Sequence, residues 1–174
     1  MPISDTFIKK VDSLNKWTGK WIAWLIFIDT FAVAYDVINR YVIGKATDWG
    51  YDVGWMLFGV SFMIGAAYTL QEGQHVRVDL VYQRCSPRTR AAMDFVYWTV
   101  FILPMCVFLT IYGIDYTVRS WEVLERSSYS AWRPYIFPLK TFIPITFVLL
   151  GLQVIADCIR NFRKMWGKEN TDES

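Results

Sequence analysis

The side chains best able to do chemistry in this sequence are charged residues set inside an apolar stretch. Asp29 and Asp36 are seven residues apart and Arg40 follows four residues later, so a helix would carry all three on one face. Ionisable residues inside a membrane span are functional candidates by default. One chemistry is the binding of a proton or sodium by an aspartate on a transport path. The other, which we favour, pairs Asp36 with Arg40 while this face packs in a bundle or contacts a partner protein.

The other reactive residues do not form a catalytic pattern. His75 is the single histidine, which excludes haem ligation by paired histidines and favours a structural role for it at a membrane interface. Glu122 and Glu125 are three residues apart, but nothing near them suggests a metal or a buried acid–base pair. The three cysteines form no CxxC, and no glycine-rich phosphate loop, HExxH or GxSxG occurs. We therefore predict no catalytic, cofactor-binding or metal site in this chain, and no enzyme activity.

The elements that must position these residues are apolar and long. Hydrophobic residues make up 54% of the 174 residues and aromatic residues 18%, and they are clustered. Residues 53–71 and 95–114 contain no charge, and 141–156 forms a third such run. A bilayer-spanning helix needs about 20 mainly apolar residues. The net charge of +2, with no basic patch interleaved with aromatics, argues against nucleic acid as a partner.

We predict an all-α integral membrane protein with one membrane domain over residues 1–174. Its four transmembrane helices are expected at about 17–41, 49–71, 87–116 and 138–160, with an interfacial amphipathic segment at about 73–85 between helices 2 and 3 and a tail from 161. Ser86-Pro87 is typical of a helix start, and Pro104 and Pro144 are expected to bend the third and fourth spans. Small residues recur every four positions in the second span, a pattern that permits close helix packing in lipid: Ser61, Gly65, Thr69 and Gly73.

The distribution of basic residues predicts the orientation. Of the 18 lysines and arginines, twelve lie in the two termini and the central turn, and six lie in the other two connectors. Cytoplasmic segments carry the excess of lysine and arginine. Both termini and the central turn are therefore predicted to be cytoplasmic, and the N-terminus lacks the features of a cleaved signal peptide.

The segment GAAYTLQEGQHVRVDLVY, residues 65–82, resembles the cytoplasmic turn of a known family. Its most specific positions are Glu72, Gly73, His75, Arg77 and Asp79. Further similar pieces are NRY at 39–41, WEVLERSS at 121–128 and AWRP at 131–134. The whole pattern is similar to the small membrane subunit, of the DctQ type, of tripartite ATP-independent periplasmic (TRAP) transporters. One departure lies at 49–52, where the family often has a tryptophan followed by two glutamates and this sequence has only Asp52 as an acid.

The resemblance implies a role in a three-part uptake system. In this family a soluble periplasmic protein captures a solute, typically an organic acid, and a large membrane subunit carries solute and sodium. The small subunit packs on the static part of the large one, in the bacterial inner membrane, so sodium is expected in the large subunit and not here. Lipid is a further expected partner. The hypothetical partner interface comprises Asp29, Asp36, Arg40, Asp52, Ser61, Gly65 and Thr69, and the possible contacts with the binding protein are Arg126 and Arg133.

Two alternatives from other classes stay open at this point. A self-contained four-helix transporter would need a buried acid lining a cavity, for which Asp29 is the one plausible residue. A membrane anchor subunit of a redox complex is also four-helical in many cases, but a single histidine argues against a haem-bearing version.

Overall fold

The computed structural model describes residues 3–45, 47–72 and 86–165, and the predicted interfacial segment 73–85 lies outside them. The helices are α1 (Ile3–Ile38), α2 (Gly50–Gln71), α3 (Pro87–Tyr97), α4 (Leu103–Glu122) and α5 (Phe137–Met165), with π-helical turns at Asn39–Ile43 and Trp98–Ile102. Among the described residues, four helical stretches are long and apolar enough to cross a membrane: Asp5–Ile43, Gly50–Gln71, Arg88–Glu122 and Phe137–Arg163. The predicted all-α membrane fold is confirmed.

The first helix is much longer than a membrane span requires. α1 has 36 residues, or about 54 Å at 1.5 Å per residue, against about 30 Å for the hydrocarbon core of a bilayer. The polar segment before residue 17 is therefore the first part of the same helix as the span. After its π-helical turn the helix ends at Gly44, whose φ of 75° is left-handed and whose N–H bonds to the carbonyl of Asn39.

The third span begins and deforms where its sequence indicates. Ser86 caps α3 by accepting a hydrogen bond from the N–H of Thr89 at 3.3 Å, and Pro87 occupies the first turn. The π-helical turn Trp98–Ile102 lies immediately before Pro104, which has no N–H to continue the helical bonding.

Two antiparallel helix pairs build the bundle. α1 packs on α2, α4 packs on α5, and α5 also contacts α1, α2 and α3. The main core comprises Ala67, Leu70, Trp98, Cys106, Leu150 and Val154. Many large aromatic side chains point outward instead, such as Trp24 and Phe62, as expected for faces covered by lipid or by another membrane protein. We call the end with the α1–α2 turn and the α4–α5 connector the connector end, and the opposite end the terminal end.

Pro144 is accommodated inside α5 by a hydrogen bond from α4. A proline has no N–H, so the carbonyl four residues earlier, that of Lys140, has no donor from its own helix. The hydroxyl of Thr117 donates to this carbonyl at 3.0 Å. At the same level Gly113 lets α4 approach closely, because a Cβ there would lie 3.3 Å from Ile143 and 3.5 Å from the Pro144 nitrogen.

Candidate partner interface and polar clusters

Asp36 lies at the centre of a polar cluster that closes the turn between α1 and α2. Its side chain is buried, and Arg40 donates to Oδ2 at 2.9 Å across one helical turn, as predicted. The N–H of Thr47 donates to Oδ1 at 3.0 Å, and the Thr47 hydroxyl donates to the same oxygen. These three residues, the Asp36 cluster, hold the turn to the end of α1. The carboxylate also lies beside the first residue of α2, where the helix dipole favours negative charge.

Gly50 makes this arrangement possible. A Cβ at this position would lie 2.6 Å from the Cγ and from Oδ1 of Asp36, closer than real Cβ atoms approach. The first residue of α2 must therefore be glycine for the Asp36 cluster to keep its geometry.

Asp52 is the centre of a second cluster, which joins α2 to the connector between α4 and α5. The residue is fully buried, with 0% of its surface exposed. Trp55 Nε1 and Ser127 Oγ each donate to Oδ1 at 3.1 Å, and the hydroxyl of Ser130 donates to Oδ2. A buried carboxylate is tolerated only when donors satisfy it, and this one has three. These four residues, the Asp52 cluster, fasten the connector to the bundle.

Glu125 anchors the same connector to α4 and α5. Ser120 donates to Oε2 at 2.7 Å, and the Lys140 ammonium forms an ion pair with the same oxygen. Hydrogen bonds from Lys140 and then from Ser120 hold the pKa of Glu125 below its ordinary value. Lys140 is itself positioned by the ring of Tyr116, whose centroid is 4.0 Å from Nζ. The connector is therefore held near its start by Glu125 and in its middle by Asp52.

The path of this connector also depends on two residues with a left-handed backbone conformation. Leu124 and Arg133 have φ values of 46° and 47°, in the left-handed region that non-glycine residues rarely adopt. The two predicted binding-protein contacts, Arg126 and Arg133, are both exposed on it. Arg126 donates to the Tyr135 hydroxyl at 2.5 Å, and its Cζ lies 4.3 Å from the ring centroid.

Asp29 differs from Asp36, Asp52 and Glu125 because one buried oxygen of its carboxylate has no donor among the described residues. It is half-buried on α1 and faces Gly54 of α2, where a Cβ would lie 3.8 Å from Oδ1. Its Oδ1 is buried and has no hydrogen-bond donor among the described residues. Of the three charged residues predicted on one face of α1, Asp36 and Arg40 pair with each other, whereas Asp29 has no ion-pair partner in the described part of the chain.

The small-residue stripe of α2 lies partly in the bundle and partly on its surface. Ser61 is buried, whereas Thr69 is exposed and its hydroxyl bonds to the carbonyl of Gly65 at 2.9 Å. A Cβ on Gly65 would reach only the tip of Ile22, at 4.0 Å. The tight approaches between α1 and α2 occur at other glycines, such as Gly19 and Gly50. Contact of the stripe with a partner stays a prediction.

The predicted cytoplasmic turn is described only at its first residue. Glu72 is exposed and ends α2, its N–H bonding to the carbonyl of Tyr68 at 3.1 Å. Gly73, His75, Arg77 and Asp79 lie outside the described residues.

A polar cluster at the terminal end was missed by the sequence reasoning. The buried amide of Asn15 on α1 donates to Gln153 Oε1 on α5 at 2.7 Å, and Arg160 forms ion pairs with Asp12 and with Asp157. We call these five residues the terminal cluster. The signal was present: Gln153, Asp157 and Arg160 follow one face of α5, and Asp12 and Asn15 follow one face of α1.

These clusters join helices to connectors and join helices to one another. Each buried carboxylate at the connector end accepts hydrogen bonds from side chains of this chain. In the part of the chain that the structure describes, no group of three or more histidine, cysteine or acidic residues could hold a metal ion. The arrangement fixes helix positions and connector shape.

Comparison with known families identifies the chain. Residues 29–164, more than half of the sequence, match the family described as tripartite ATP-independent periplasmic transporters, DctQ component. No curated protein matches the sequence at a significant level. The matched region contains both aspartate clusters of the connector end and the α5 part of the terminal cluster. The chain therefore belongs to the DctQ family, the small permease component of TRAP transporters.

Proposed function

We propose that this chain is a non-catalytic membrane scaffold for sodium-coupled uptake of an organic acid, working with a large membrane subunit and a periplasmic binding protein. In this proposal the solute and sodium sites belong to the large subunit. The chain lies in the bacterial inner membrane with both termini cytoplasmic, as the excess of lysine and arginine at the terminal end supports.

One observation carries the scaffold role. Three buried polar side chains of the membrane helices bond to other parts of the same chain: Asp36 to the α1–α2 turn, Asp52 to the distant connector, and Gln153 to α1. A transport path needs polar groups that can release their partners to a solute or ion. Side chains with two or three intramolecular hydrogen bonds are suited to rigidity instead.

Reconstitution separates the scaffold from a self-contained transporter. Proteoliposomes with an inward sodium gradient would contain this chain alone, the large subunit with the binding protein, or all three. We expect sodium-dependent accumulation of radiolabelled mono- or dicarboxylic acids only when all three are present. Accumulation by the isolated chain would refute the proposal.

Asp29 is the residue through which we propose that the chain bonds to the large subunit. Its Oδ1 has no donor among the described residues, although it lies within a span where water cannot supply one. A hydrogen-bond donor from a neighbouring membrane helix would satisfy the carboxylate. Such a bond would also fix the rotation of α1 against its partner.

Co-purification tests this contact. We expect Asp29→Leu to reduce recovery of the large subunit with the tagged small one, and Asp29→Asn, which keeps one acceptor oxygen, to reduce it less. Asp115→Asn is the matched control, because Asp115 pairs with Arg119 at 3.0 Å on an exposed surface. Unchanged assembly of Asp29→Asn together with lost sodium coupling would instead place Asp29 on an ion path.

For the binding protein we propose the exposed α4–α5 connector as the docking site. Arg126 and Arg133 present positive charge there, on a segment that Asp52 and Glu125 hold in place. Reversal of both arginines to glutamate is expected to lower binding-protein-dependent uptake, whereas Lys10→Glu at the terminal end is not. Undiminished uptake by the double variant would remove this part of the proposal.

A further inference from the structure

A groove of about 520 Å³ runs along one side of the terminal half of α1. It is lined by Lys9, Asp12, Ser13, Lys16, Trp17 and Lys20, which we call the lysine groove. Three of its six residues are lysines, and nothing in the proposed function uses it.

The charge of the groove is more positive than its composition indicates. Its one acid, Asp12, accepts from Arg160 of α5 and from Gln153 at 3.4 Å, so its negative charge is already neutralised within the terminal cluster. Among the described residues, no acidic side chain forms an ion pair with Lys9, Lys16 or Lys20. All three ammonium groups lie on an exposed face and remain available to a negatively charged ligand.

The position of the groove along α1 identifies the kind of ligand. Lys20 is the last charged residue before the apolar stretch in which Asp29 is the first charge, so the groove lies where hydrocarbon gives way to lipid headgroups. Trp17 and Trp21 are 59% and 56% exposed at this level, as expected for aromatic anchors in the headgroup layer. Lysine stems also reach from such positions toward the polar surface.

We propose that the lysine groove binds the phosphate of an anionic phospholipid. Lys16 and Lys20 are one helical turn apart in the sequence, so their ammonium groups would flank the phosphate, with the Ser13 hydroxyl as a further donor. Trp17 would lie against the glycerol and upper acyl chains. Since Asp12 links the groove to α5, the bound lipid would be held against the α1–α5 contact. The inference does not depend on the proposed transport role.

Lipid selectivity of the intact chain tests the proposal. The full-length protein would be reconstituted in phosphatidylcholine bilayers, and electron paramagnetic resonance would compare its association with spin-labelled phosphatidylglycerol and phosphatidylcholine. We expect a clear preference for phosphatidylglycerol. Each lysine near an anionic lipid surface contributes about a fivefold preference, so Lys16→Gln should lower it about fivefold and the triple change at Lys9, Lys16 and Lys20 should abolish it.

Matched variants distinguish lipid binding at a specific site from general attraction to the surface charge of the protein. Lys10→Gln makes the same change on the same helix outside the groove and should leave the preference intact, as should the charge-preserving Lys16→Arg. Circular dichroism would verify that the variants keep their helicity. Equal association of the two lipids with the wild-type chain would overturn the proposal, and so would equal effects of Lys10→Gln and Lys16→Gln. Displacement of phosphatidylglycerol by millimolar inorganic phosphate would identify a soluble phosphate as the ligand instead.

Discussion

The hydrogen bond from the Thr117 hydroxyl to the Lys140 carbonyl is predicted to stabilise the chain, because it replaces the helical bond that Pro144 cannot make. Thr117→Val keeps the side-chain shape and removes the only hydroxyl at that position. The carbonyl of Lys140 then has no donor, because Pro144 has no N–H. Thr117 is 7% exposed, so neither water nor lipid headgroups replace the lost donor.

The expected magnitude follows from two limits. Side-chain hydrogen bonds between membrane helices average about 0.6 kcal/mol and reach about 1.7 kcal/mol. A buried acceptor left without a donor costs about 1–3 kcal/mol. We expect Thr117→Val to lower the free energy of unfolding by about 1–2 kcal/mol. In a Pro144→Ala background the restored N–H of residue 144 satisfies the carbonyl, so the same change should cost about 1 kcal/mol less.

Equilibrium unfolding in mixed detergent micelles, followed by circular dichroism, measures all four members of this double-mutant cycle. Thr110→Val is the matched control on the same helix, since the Thr110 hydroxyl donates at 2.7 Å to the carbonyl of Cys106, which lies four residues earlier in the same helix. A loss for Thr117→Val no larger than that for Thr110→Val would refute the reasoning. Equal losses with and without Pro144 would refute it as well.

Three further predictions concern the polar clusters. Gly50→Ala should lower the free energy of unfolding by about 1–3 kcal/mol, because its Cβ would overlap the Asp36 carboxylate. Gly59→Ala is the control and should not destabilise the chain, since the nearest neighbour of its Cβ would lie 3.9 Å away. Thermal unfolding compares the two variants. Gln153→Leu should lower the free energy of unfolding by about 1–2 kcal/mol, because the buried Asn15 amide loses its acceptor. In the same assay, replacing both Asn15 and Gln153 with leucine should lower it by less than the sum of the two single changes. Because hydrogen bonds from Lys140 and Ser120 lower the pKa of Glu125 in the folded chain from its ordinary value of 4.5, its contribution to stability should be fully present above about pH 4.5 and be lost as pH falls through the lowered pKa. The protection factors of the connector amides, which are corrected for the intrinsic pH dependence of exchange, should therefore fall at acidic pH in the wild type and lose that pH dependence in Glu125→Gln. Wild-type protection factors that do not change with pH would contradict the assignment.

The fold could be predicted well because its main signals are local. Uncharged apolar runs and the Ser86-Pro87 start depend on neighbouring residues, and the structure has four helical stretches able to span a membrane and the Ser86 cap. The pairing of Asp36 with Arg40 also depends on helical spacing alone. The extension of α1 back to Ile3 was not predicted, because its polar residues are stabilised by α5 and not by the local pattern.

The partners of the distant acids could not be predicted. Asp52 and Ser127 are 75 residues apart, and Asn15 and Gln153 are 138 apart, so only the packing of the helices brings them together. The same holds for Thr117 and the carbonyl of Lys140. The sequence shows that Pro144 cannot donate to this carbonyl, but it does not show which helix supplies the donor instead.

By itself, the sequence determined that this chain spans a membrane with four helices and belongs with the DctQ components, since hydropathy and motif spacing are properties of contiguous residues. Only the tertiary structure decided which polar groups are satisfied inside the chain, because that depends on which faces of separate helices meet. It places the carboxylates of Asp36 and Asp52 in intramolecular clusters and leaves Asp29 incompletely bonded among the described residues. The physical reason is that a buried carboxylate needs donors within about 3 Å, and helix packing sets those distances for donors that are far away in the sequence.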